Sequence, residues 1–319
     1  MELISSSFSI INNGRATQLF NKEHREDIAL FFYNLSPNTL NAYKYDLDLF
    51  FRFLEMKGLV LYQARQIHIE EYMKFVSMHG GNKARKCSDR TYNRKLSAIK
   101  SFFKYLCEKR ILETDPCSFV RFRKIPLVVE TEFISSEKIR ELFALIPSDT
   151  LRYKRDRALL GVLFYSGCRV SELRNLKIKD YGFYAHGRTL DFVTKGNEKR
   201  QIPVPQNLAE VMNDYLQARL SEMEYFEGDA LFTNLKSNSP LYRSSINDIF
   251  EKWSRKLGLP YRVSPHSART SFIVMMDENR VDLKKQAETV GHKNVAMTIA
   301  YNKKRQMLDK SPVLDIQLL

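Results

Sequence analysis

The chain is 319 residues long, enough for two domains that each bury a core. It carries 51 Lys and Arg against 37 Asp and Glu, a net charge of +14, which favours a polyanionic partner, nucleic acid before membrane. No apolar run approaches the roughly 18 residues of a membrane span and no secretory leader opens the chain, so a membrane role is not expected. The four cysteines (Cys87, Cys107, Cys117 and Cys168) lack C-x-x-C spacing and read as reduced thiols of a cytoplasmic protein.

Residues 1–21 are polar, with scattered Ser and Asn, and form an N-terminal extension without an assigned structure. From residue 22 the pattern turns helical, with Ile28, Ala29, Phe31 and Phe32 on one side. Ser36 as N-cap and Pro37 at the first helical position open a second helix, which carries Leu40, Tyr43, Leu47, Phe50, Phe51 and Leu54 and stops at Gly58. A third runs from Glu70 to Met78 and precedes a polar loop, Gly80 to Arg85. The fourth begins near Ser88 with the stripe Tyr92, Leu96, Ile99, Phe102, Phe103 and Leu106. Arg90, Arg94, Lys95 and Lys100 lie mainly off that stripe. Residues 22–112 therefore read as a four-helix bundle whose basic face suits DNA phosphates, although the same cations would also serve as a solvated face.

Residues 113–132 hold Pro116, Pro126, Arg121, Arg123 and Lys124 without a clear period, the pattern of an extended linker. The second half, 133–319, starts with Ser135 as N-cap of a helix bearing Ile139, Leu142, Phe143 and Ile146. An apolar helix with Ala158, Leu159, Val162 and Leu163 stops at Gly167. Two alternating runs joined at Lys195-Gly196-Asn197-Glu198 predict a hairpin. Helices follow from Asn207 to Met223 and from Ser244 to Leu257, the latter with Trp253 on its apolar stripe, a core position rather than a base-stacking one. The fold class is mainly α, with one small antiparallel sheet in the second half.

The stretch from His266 to Tyr301 carries the chemistry. His266 and Arg269, three apart, share a helix face. Gly291 ends the next helix-like run, Asp282 to Val290, and His292 follows it. An arginine with two imidazoles makes an anion site, for which phosphate is the natural ligand, and a tyrosine hydroxyl brought there can attack phosphorus.

With Gly167 to Leu173 around Arg169, Lys195 in the hairpin, His266-x-x-Arg269, Gly291-His292 and Tyr301 nine residues beyond, the sequence resembles the tyrosine recombinase (phage integrase) family over about its last 190 residues. A looser likeness, clearest in Ser36–Leu54 and Thr91–Glu108, extends to the family's core-binding, SAM-like bundle. The chain departs from the family pattern at Ala268, Thr270 and Val290, neighbours expected to pack behind the site.

The resemblance implies a simple recombinase of the Xer and Cre kind, working without metal or ATP. Arg169 and Arg269 would hold non-bridging phosphate oxygens, His266 and His292 would donate hydrogen bonds or move protons, and Lys195 would protonate the leaving 5′ oxygen. Glu172 would orient Arg169 or a histidine. Tyr301 would form a 3′-phosphotyrosyl link, resolved by a partner strand through a Holliday junction. The expected partners are double-stranded DNA with paired inverted half-sites and three further copies of the chain, with a second recombinase or accessory proteins left open. Integration, resolution and inversion stay open too. The short stretch before the first helix suggests that a separate arm-site domain is absent. The apolar tail residues Val313, Leu314, Ile316, Leu318 and Leu319 are expected to dock on a neighbouring protomer, or to pack in cis. The rivals are a topoisomerase using the same tyrosine chemistry and a catalytically silent DNA-binding regulator.

Overall fold

The computed structural model describes residues 25–80, 86–125, 131–185, 187–193, 198–222, 229–292 and 294–306. The expectations for residues 1–21, the 81–85 loop and the tail beyond 306 lie outside them. The chain divides into two units, Met1–Pro126 and Leu127–Leu319.

In the first unit, α1 (Arg25–Tyr33), α2 (Pro37–Met56), α3 (Gln66–His79) and α4 (Asp89–Glu108) surround a core dense in aromatic rings. Phe50 sits 5.1 Å from Tyr72 and 5.9 Å from Phe103, and Phe31 5.2 Å from Phe102, all edge to face, so the rings join all four helices. Ser36 precedes α2 in extended backbone, as expected of an N-cap, yet its hydroxyl pairs with that of Thr39 instead of capping an amide. Ser88 does cap α4, accepting from the Thr91 amide.

The stretch expected to be linker is packed in its first part. Cys117 and Val120 are buried in the first unit's core, and Arg123 lies 3.8 Å over the Tyr92 ring while its amide donates to Asn93. These apolar residues follow no period because they sit on turns rather than on a helix. The expected break at Pro126 lies outside the described residues.

The second unit contains α5 (Ser136–Ala144), α6 (Leu151–Ser166), the six-residue α7 (Val170–Asn175), α8 (Gln206–Glu222), α9 (Arg243–Ser254), α10 (Pro265–Glu278), α11 (Leu283–Val290) and α12 (Val295–Gln306). Between α7 and α8 lies an antiparallel sheet in the order β1 (Tyr181–Tyr184), β2 (Gly187–Val193), β3 (Lys199–Val204). The pair β2–β3 matches the expected hairpin, with Leu190 opposite Ile202 and Val193 opposite Lys199. Strand β1 was not legible, because Tyr-Gly-Phe-Tyr is too short to show alternation.

Helix α6 is the hub, buried from Ala158 to Phe164. A Cβ at Gly161 would fall 2.5 Å from Leu208 Cδ1 of α8, so any larger residue there would require that side chain to shift. Trp253 is buried in the same core, its indole N–H donating to the Asp156 carboxylate at 2.9 Å. No helix of the described residues is long and apolar enough to cross a membrane.

Candidate active site

Two helix ends frame the site. Helix α6 ends at Gly167 and α11 at Gly291, both left-handed with φ of 56° and 67°. Glycine takes that conformation without strain and closes each last turn. Arg169 follows the first end and His292 the second.

Arg269, on α10 and only 2% exposed, clasps the two ends. Its Nη1 donates to the Gly167 carbonyl and its Nη2 to the Val290 carbonyl, both at 2.7 Å. A cation at two helix C-termini meets the negative ends of both dipoles. These bonds use two of the five N–H groups of the guanidinium. Ala268, Thr270 and Val290, the departures from the family pattern, are all buried.

Glu172, 5% exposed, ties the Arg169 turn together. Its Oε1 accepts from Arg169 Nη1 at 2.7 Å, while Oε2 accepts from the Arg169 amide at 2.9 Å and from Arg200 Nη2 at 3.2 Å. The Arg169 side chain stays 41% exposed, with Nη1 on Glu172 and Nη2 3.5 Å from the Gly291 carbonyl.

Arg200 was missed in the sequence. It is buried on β3, donates from Nη1 to the Thr289 and Ser166 carbonyls, and lies 4.9 Å from the Phe192 ring centre. The signal was there: Arg200, Ile202 and Val204 alternate with Lys199, Gln201 and Pro203, which puts a charge on the apolar face of a strand.

The histidines stand in a cationic field. His292 is half-buried, with Nδ1 2.9 Å from Thr298 Oγ1. Burial, followed by the charges of Arg269 and Arg169, pushes its pKa down to about 3. His266 is exposed at its residue surface, yet protein crowding its ring, then Arg269 and Arg169, also lower its pKa. Both rings are neutral near pH 7.

Tyr301 lies on α12, but its side chain is outside the described residues, as is the whole of Lys195, between β2 and β3. Among the described residues, Arg169, Glu172, Arg269 and His292 are joined through the two helix ends, and His266 is close enough to depress His292.

In the first unit the four α4 cations divide. Arg90 is exposed, and Arg94, its side chain 44% exposed, pairs with Asp46. Lys95 is 3% exposed with Nζ 3.1 Å from the fully buried Asp46 carboxylate. A buried ammonium neutralised in this way does not reach phosphate, so its expected DNA contact is corrected to bracing Asp46 beneath Arg94. Lys100 is turned inward too, donating to the Cys117 carbonyl at 2.6 Å. Among the described residues no group of three or more His, Cys, Asp or Glu is placed to hold a metal ion.

The family model described as "Phage integrase family" matches residues 132–307, more than half of the chain, and "Phage integrase, N-terminal SAM-like domain" matches 32–110. A tyrosine recombinase of Pseudothermotoga lettingae is 28% identical over 267 residues, covering 84% of this chain and 87% of that protein. Tyrosine recombinase XerC of Anoxybacillus flavithermus is also 28% identical, over 279 residues and the same shares. Among solved structures, the XerH site-specific recombinase bound to a palindromic difH substrate, a post-cleavage complex, superposes with a TM-score of 0.71 at 19% identity, covering 98% of this chain and 95% of that one.

Proposed function

The chain belongs to the phage integrase family, and we propose that it is a site-specific DNA recombinase that cuts and rejoins strands through a tyrosine. Tyr301 attacks the scissile phosphorus and displaces the 5′ oxygen, leaving a 3′-phosphotyrosyl link. Lys195 supplies the proton the departing 5′ oxygen needs. The freed 5′-hydroxyl of a partner strand then attacks the link and releases Tyr301, so bond energy is conserved and a Holliday junction forms.

Arg169 and Arg269 take the non-bridging oxygens, and their hydrogen bonds strengthen as charge builds at phosphorus. A neutral imidazole at His292 or His266 can accept the Tyr301 proton or donate from its N–H. What carries the reading is the joint clasp of Arg269 on the two helix ends that present Arg169 and His292.

The substrate is double-stranded DNA with paired inverted half-sites, and four copies of the chain act on two sites in the cytoplasm, with a second recombinase or accessory proteins selecting the outcome. Arg90 and Arg94 contribute phosphate contacts from the first unit. The test is a plasmid bearing two candidate sites. Exchange between them supports the reading. Relaxation of supercoils without exchange would instead indicate a topoisomerase, and binding without either would indicate a silent regulator.

A further inference from the structure

Arg200 and Arg269 hold neighbouring carbonyls on the same two helix ends. Arg269 takes Gly167 and Val290, and Arg200 takes Ser166 and Thr289, one residue earlier on each helix. Arg269 already joins the ends, so the added feature of Arg200 is its bond to Glu172, the carboxylate that grips Arg169. We propose that Arg200 is a positioning residue for strand cleavage, which aims the Arg169 guanidinium through Glu172 and fixes the His292 turn through the Thr289 carbonyl.

Three observations support a positioning role over a purely structural one. The Nε–H of Arg200 is buried without a hydrogen-bond partner, a cost that an apolar residue on that strand face would avoid. The guanidinium groups of Arg200 and Arg269 share one pair of helix ends, so Arg200 adds cation–cation repulsion where Arg269 alone already joins those ends. Glu172 is buried, and the side chain of Arg169, its other cationic partner, is 41% exposed. Without Arg200 that carboxylate would draw Arg169 inward to satisfy itself, away from a ligand.

The kinetic part of this inference rests on the recombinase reading, and the spectroscopic part does not. The variants are Arg200→Met and Arg200→Lys, the second keeping the charge but losing the fork that serves three acceptors. In full-length protein without DNA, the ¹⁵N–¹H signal of the Arg169 guanidinium, assigned with Arg169→Lys, is expected to shift in both. With saturating nicked site, adduct formation is expected to fall about 100-fold in Arg200→Met, the scale of a small misplacement of a reacting group, and less in Arg200→Lys. Site affinity should stay close to that of the unaltered chain. If Arg200→Met fails to fold, Arg200→Lys decides alone. An unmoved Arg169 signal in a folded variant, or a shifted signal with undiminished cleavage, overturns the proposal. If the signal shifts while the unaltered chain itself forms no adduct, the positioning role stands and the recombinase reading falls.

Discussion

His292 Nδ1 lies 2.9 Å from Thr298 Oγ1, and this contact joins the turn after α11 to the helix that carries Tyr301. Thr298 is fully buried and stands three residues before Tyr301 in the sequence of α12. A partner on Nδ1 fixes the ring's orientation and aims Nε2. The His292 ring is thus tied to the helix whose backbone carries Tyr301, the proposed nucleophile.

Thr298→Val keeps the shape and removes the hydroxyl. One lost hydrogen bond of about 1 kcal/mol corresponds to a roughly 5- to 10-fold slower adduct formation, with site affinity unchanged. Thr298→Ser should retain most of the rate. Single-turnover cleavage of a nicked site measures both, and an equally fast valine variant would show that the contact does not matter.

The neutral histidines set a pH dependence. In the unfolded chain a histidine takes up its proton near 6.5, whereas folded His292 does so only near 3. Folding stability from this ring is therefore complete above about pH 7 and declines as pH falls through 6.5, because acid favours the unfolded form. One proton limits the slope to about 1.4 kcal/mol per pH unit, and solvent at a half-buried ring reduces it. His292→Asn should flatten the loss of urea midpoint between pH 7.5 and pH 5.5. An unchanged slope would mean that the ring is not held neutral.

Asp46, Lys95 and Arg94 separate stability from DNA contact. Asp46→Ala leaves Lys95 buried without its counter-ion and should cost about 3–5 kcal/mol in urea unfolding. Asp46→Leu with Lys95→Met removes both charges and should recover most of that. Arg94→Ala should lower the slope of log affinity against log salt by about one unit if its guanidinium meets a phosphate. A slope unchanged in Arg94→Ala would move the first unit's contacts elsewhere on its surface.

Much of this was legible in the residues. The α2 and α4 stripes, the stops at Gly167 and Gly291 and the β2–β3 pairing each follow from local chemistry, since a helical period or a left-handed glycine leaves its mark within a few positions. Arg169, Glu172, Arg269 and His292 could be named because the motif preserves spacing. Contacts between distant segments could not. Arg200 reaches Thr289 across 89 positions, and Lys95 finds Asp46 across 49, so no window along the chain names their partners, although strand alternation marks Arg200 as inward-facing. Lys95 also sits at the edge of the α4 stripe, where one helical step decides between solvent and core.

The most direct test of the proposed chemistry is Tyr301→Phe on a nicked suicide substrate, resolved on a denaturing gel. The unaltered chain should trap a covalent protein–DNA adduct. Tyr301→Phe should bind the site with the same affinity and salt slope and trap none, because it keeps the phosphate donors and lacks the attacking oxygen. An adduct that persists in Tyr301→Phe would place the nucleophile on another residue and contradict the mechanism.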